Sequence, residues 1–128
     1  MKTDNAHIRI ERPAEEVWDL VGRFDGLETW LPGVDGCEVE GDIRKVNTMG
    51  MVIEERLVAR NEAARTITYS IVSGAPVESH EATISVVPVG ENAADVTWTV
   101  ATEPDDAAAF MRDVYQGALD AVKAKLET

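Results

Sequence analysis

Among 128 residues there is a single cysteine, Cys37. An internal disulfide is therefore excluded. With no histidine near it in sequence, Cys37 has no zinc-site partner and no base to make it a nucleophile, so it reads as a small buried hydrophobe. Basic residues are also scarce, 12 against 24 acidic for a net charge of −12. Nucleic-acid binding and docking on anionic membrane both need clustered Lys and Arg, so neither partner is expected. The acidity reads instead as a solvated, self-repelling surface.

No window approaches the roughly 20 apolar residues of a membrane span, and Met1 to His7 lacks the apolar core of a secretion signal. A cytoplasmic location, as monomer or homodimer, is expected. GxGxxG and Walker-type loops, a nucleophile elbow, HExxH and histidine pairs at ligand spacing are all missing. No nucleotide, metal or other cofactor is therefore expected. No segment rich in Pro, Gly or Ser divides the chain, so residues 1–128, 45% apolar, are expected to share one core in one domain.

What is present is organised around one long amphipathic segment, residues 104–127. Ala107, Met111, Val114, Tyr115, Ala118, Val122 and Leu126 recur at three- and four-residue steps, with Arg112, Asp113, Gln116, Asp120, Lys123 and Glu127 opposite them. Pro104 suits a first turn, and Asp105 and Asp106 suit the positive end of the helix dipole. Before it, Ile8 and Ile10 alternate with polar residues as a short first strand. Pro13 opens a helix that Gly22 closes, and a second short helical piece is expected from Asp25 to Trp30. Turn residues then separate six strands near 34–40, 43–49, 51–60, 65–73, 77–88 and 94–102. Short connections imply an antiparallel meander, whose concave face needs a cover that the final helix has the length to provide.

Pro13-Ala14-Glu15-Glu16-Val17-Trp18-Asp19-Leu20, then Phe24 and Trp30-Leu31-Pro32, resembles the start of the START-like (SRPBCC) superfamily, and specifically its bacterial polyketide cyclase/dehydrase and lipid-transport branch. Arg44, Glu54-Glu55-Arg56-Leu57, Thr68-Tyr69-Ser70-Ile71, Ala82 to Val86, Val96-Thr97-Trp98 and Tyr115, Gly117 and Leu119 continue the likeness in order. The resemblance implies an α+β helix-grip fold, β-α-α-β6-α, in which a seven-stranded curved antiparallel sheet wraps a long C-terminal helix around a hydrophobic cavity. It is compatible with carriers of lipids, polyketides or aromatics and with aromatase/cyclases. A fold alone does not choose among these.

Strand alternation turns Glu55, Tyr69, His80 and Trp98 toward the apolar face, and Arg44 in phase with Val46. An enzyme built here would use Glu55 or His80 as acid/base and Tyr69 as donor to a carbonyl oxygen, suiting a polyketide cyclase or dehydratase. A binding protein would use the same groups to orient the polar end of a hydrophobic small molecule, with Trp30, Trp98, Met111, Val114, Tyr115 and Ala118 as walls. Plainer roles stand beside these: Glu55 in a structural ion pair with Arg44, Tyr69 and the tryptophans as core aromatics, His80 at a solvated strand end. A third reading, a protein-interaction or stress module, requires an exposed apolar patch or an open sheet edge. Gly117, costly inside a helix, is expected to permit close approach to the sheet or a bend.

Overall fold

Burial alternates along the strands as the sequence does, and this sets the architecture. The structure, a computed structural model, describes residues 2–128. Its order is β1 (Lys2–Ile10), α1 (Ala14–Val21), a 3-10 turn (Leu27–Thr29), β2 (Val34–Glu40), β3 (Ile43–Thr48), β4 (Met51–Asn61), β5 (Thr66–Ser73), β6 (Ser79–Pro88), β7 (Ala94–Glu103) and α2 (Asp106–Leu126). The strands form one seven-stranded sheet in the order β1-β7-β6-β5-β4-β3-β2, antiparallel at every pairing. This is the helix-grip arrangement: β2 to β7 form a meander, and β1 returns to the far edge beside β7.

Apart from shifts of one or two residues at the ends of β3 to β7, three boundaries differ from the sequence expectation. β1 begins at Lys2 because pairing with β7 carries the polar Thr3-Asp4-Asn5 into the ladder, from Lys2↔Thr102 to Ile10↔Ala94. The second helical piece shrinks to one 3-10 turn, since the chain must swing into β2 soon after Trp30. Pro104 lies before α2 rather than in its first turn.

The core is continuous from α1 through the sheet to α2. Trp18 and Val17 on α1, Val96, Trp98 and Val100 on β7, and Leu119 and Val122 on α2 are fully buried or nearly so. Cys37 is half-buried against this core. The helix buries Ala108 and Leu119 beside the expected Tyr115, Ala118 and Val122. Its polar face is not simply solvated. Gln116 bonds both backbone groups of His7, accepting from N–H at 3.1 Å and donating to the carbonyl at 3.0 Å. Lys123 Nζ donates to the Arg9 carbonyl at 2.8 Å, and Glu127 accepts from the Glu11 N–H at 2.8 Å. Gln116 and Lys123 on α2 and Glu127 just beyond it thus bond the backbone of residues 7, 9 and 11, along the outer edge of β1 and its exit, where an unpaired strand would otherwise invite another chain.

Candidate functional site

Between the concave face of the sheet and the first half of α2 lies a cavity of about 420 Å³. Leu27, Trp30, Val46, Ile67, Ile84 and Trp98 form its walls, and Ala107, Phe110, Met111, Val114 and Tyr115 its roof. No residue of α2 beyond Tyr115 lines it. The two halves of the helix therefore differ in what they do. The N-terminal half covers space, and the C-terminal half, with Ala118, Leu119 and Val122, packs into the core where the helix lies on β1 and β7. Around the opening Met49, Met51, Phe110 and Val114 are exposed apolar residues. A second concavity, of about 390 Å³ at the β2–β3 hairpin, is lined by Glu38, Val39, Glu40, Ile43 and Lys45 and has no aromatic wall.

Arg44 and Glu55 are direct cross-strand partners on β3 and β4, so the turn between these strands fixes their meeting. Arg44 Nε donates to Glu55 Oε1 at 2.7 Å, and Nη1 donates to the Phe24 carbonyl at 2.9 Å. The guanidinium carbon lies 4.6 Å from the ring centres of both Phe24 and Tyr69. Burial pushes the Glu55 carboxyl above its ordinary range, and the Arg44 charge pulls it back. β4 keeps Ile53, Glu55 and Leu57 in phase toward the cavity side. Ala59, which unbroken alternation would put in the same phase, is exposed because the register shifts between Leu57 and Ala59.

A second polar group stands beside this pair. Trp98 Nε1 donates to the Tyr69 hydroxyl at 3.1 Å, the Tyr69 and Tyr115 hydroxyls are 3.5 Å apart, and the Tyr115 oxygen is 3.2 Å from His80 Nε2. Trp98 and Tyr115 stack with ring centres 3.9 Å apart. The β5–β6 ladder ends at Tyr69↔Ala82; beyond it the Ile71 N–H donates to His80 Nδ1 at 3.1 Å, so an imidazole closes the gap where the strands separate. Because Nδ1 accepts, the neutral ring carries its proton on Nε2 and donates to Tyr115. Burial lowers the His80 pKa to about 4, and burial raises both tyrosines above the ordinary phenol range, Tyr69 further under the Glu55 charge.

The sequence-selected residues therefore fall into two adjoining groups rather than one Glu55–Tyr69–His80 cluster. Arg44, Glu55, Tyr69, Trp30, Trp98, Met111, Val114 and Tyr115 line the cavity, Val114 at its exposed rim. His80 and Ala118, expected as ligand contacts, do not reach the cavity wall: His80 lies beside Tyr115 as its hydrogen-bond partner, and Ala118 is on the packing half of α2. Nor is His80 at a solvated strand end, being 2% exposed. Sequence reading passed over Phe110 and the Met49/Met51 hairpin. Phe110 keeps helical step with Ala107 and Val114, a usable signal, whereas only the fold brings Met49 and Met51 to the opening.

The family model for polyketide cyclase / dehydrase and lipid transport matches residues 3–127. Among solved structures, the protein XoxI from Bacillus cereus is 30% identical with a TM-score of 0.92, the match covering 100% of this chain and 99% of that one. A START superfamily protein from Mycobacterium smegmatis is 16% identical, with a TM-score of 0.81 over 98% and 99% of the two chains, a likeness of fold. The di-domain ARO/CYC BexL, from the BE-7585A biosynthetic pathway, is 25% identical with a TM-score of 0.81. That match covers 99% of this chain and 47% of BexL, about half its length. A comparison with curated proteins finds no match.

Proposed function

The chain belongs to the polyketide cyclase / dehydrase and lipid transport family, and from that premise we propose that it encloses a hydrophobic small molecule, a lipid, polyketide or aromatic, between its sheet and α2. The observation that carries this reading is the cavity of about 420 Å³, walled by aliphatic and aromatic side chains and holding few polar groups. That size and lining match those of small-molecule sites in general. The apolar rim gives such a ligand a route in, and no helix among the described residues is long and apolar enough to cross a membrane. Native mass spectrometry of the purified protein, with extraction of any bound compound, tests the reading directly. Saturable quenching of tryptophan fluorescence by lipids, sterols or polyphenols is the expected companion result. Failure of every apolar compound to bind would overturn it.

The likeness to BexL favours a second reading, a cyclase or dehydratase. In it Glu55 exchanges protons with the substrate and Tyr69 donates to a carbonyl oxygen, while His80 holds Tyr115 instead of acting as a base. Turnover of a poly-β-ketone substrate that disappears in Glu55→Gln while binding persists would support it. For the interaction-module reading the edge of β1 is already occupied by side chains of α2 and Glu127, which leaves the exposed apolar residues around the cavity opening as the surface it would use.

A further inference from the structure

The polar end of the cavity can be read by counting protons. Trp98 Nε1 is donor-only, and the Ile71 N–H at the other end is donor-only, so two donors enter the chain of bonds from opposite ends. His80 must then give its Nε2 proton to Tyr115, and Tyr69 must accept from Trp98. Only one bond joins the two tyrosines, so one of their two hydroxyl protons has no oxygen or nitrogen acceptor in the network. If Tyr115 donated to Tyr69, the Tyr69 proton would have no partner among the described residues. If Tyr69 donates to Tyr115, the Tyr115 proton still meets the Met111 sulfur at 4.0 Å, a weak acceptor. The second arrangement satisfies more groups and leaves the Tyr115 proton the least committed. Glu55 is no competing acceptor, since no hydrogen bond joins it to either tyrosine and its Oε1 is taken by Arg44. Trp30, whose ring tilts against Trp98 with centres 5.7 Å apart, has an N–H that is buried without an acceptor among the described residues.

We infer that the Tyr115 hydroxyl is the ligand's polar anchor, and that the occupant presents to it a hydrogen-bond acceptor, the carbonyl of an apolar ketone, ester or quinone. This rests on the cavity-binding reading and narrows it. An acceptor there would find a neutral phenol already oriented by two incoming hydrogen bonds, on a ring fixed by stacking on Trp98. Leaving a buried donor with only a weak thioether acceptor is unfavourable, so a carbonyl is selected over a hydrocarbon of the same shape.

Two isosteric probes test the assignment by calorimetry: 2-acetylnaphthalene, which carries the carbonyl, and 2-isopropenylnaphthalene, which replaces its oxygen with a methylene group. The ketone is expected to bind roughly fivefold to tenfold more tightly. Its bound C=O infrared stretch should lie below the value in hexane. In Tyr115→Phe the preference should fall below about twofold and the stretch should return toward the hexane value. Equal binding of the two probes by the unmodified protein, or a preference that survives Tyr115→Phe, overturns the inference and leaves the cavity-binding reading standing. If neither probe binds, the inference falls, and the cavity-binding reading is decided by the wider series of lipids, sterols and polyphenols.

Discussion

Glu55 faces Arg44 directly across the β3–β4 ladder, with 2.7 Å between Oε1 and Nε and both side chains buried at the cavity wall. The pair is one residue's choice on each of two adjacent strands, with the guanidinium over the rings of both Phe24 and Tyr69. Desolvating two charges is costly, and the pair offsets that cost only while both partners remain. Arg44→Met is expected to lower stability by about 3–5 kcal/mol at neutral pH in urea unfolding. The loss should shrink toward acid. Without Arg44 the folded-state pKa of Glu55 rises further above its unfolded value, so the penalty is small below the unfolded pKa and grows as pH rises through the folded one. Arg44→Met combined with Glu55→Leu should recover most of the stability; recovery that fails would mean the pair itself, not its balance of charge, holds β3 to β4.

His80 predicts a different pH dependence. Its folded pKa of about 4 lies below the ordinary 6.5. Between these values the unfolded chain binds a proton that the folded one refuses, so the His80 contribution is intact above pH 6.5, declines as pH falls toward 4, and is constant below that. The decline is on the order of 3 kcal/mol. Subtracting the unfolding curve of His80→Gln from that of the native sequence isolates it. Long-range proton–nitrogen NMR should show a neutral ring protonated at Nε2 at pH 6, and a ring protonated at Nδ1 would contradict the hydrogen bond from Ile71.

The facing of most site residues was legible because the strands keep strict alternation: Arg44 with Val46, Tyr69 with Ile67, Trp98 with Val96. What alternation could not supply was depth. His80 and Tyr69 share a facing rule, yet one lies beside Tyr115 off the cavity wall and the other lines the cavity, a difference set by the separation of β5 from β6 and the arrival of Tyr115. Ala59 escaped because a bulge resets the phase, and nothing in residues 57–59 announces a bulge. The polar stripe of α2 was correctly located but not its role, since the backbone groups it bonds lie about 110 residues away in sequence.

That stripe makes the next prediction. Gln116→Ala removes both bonds to His7, one of them to a backbone N–H on an open strand edge. A loss of about 1–2 kcal/mol is expected. Faster amide hydrogen exchange at His7 should accompany it, together with a greater tendency to self-associate through β1. Exchange unchanged at His7 would show that β1 is held by β7 alone.

Two glycines should respond to alanine with opposite signs. At Gly74, where φ is +93°, an added Cβ would lie 2.2 Å from the Val52 carbonyl oxygen and 2.9 Å from the Ile53 Cα, both backbone atoms that cannot yield cheaply. Gly74→Ala should therefore cost about 2 kcal/mol or more and disturb the loop beside the cavity mouth. Gly117 is the reverse. The expectation that it allows α2 close to the sheet does not survive: it is exposed, and a Cβ there would meet nothing within 4 Å. With helical backbone and open space, alanine only restricts the unfolded chain and improves helix propensity, so Gly117→Ala should raise stability by about 0.5–1 kcal/mol. Because residue 117 lies beyond the roofing half of α2, affinity for any cavity ligand should not change. A stabilised protein with unaltered binding would separate the packing half of the helix from the half that covers the site; weakened binding would mean the two halves are mechanically coupled.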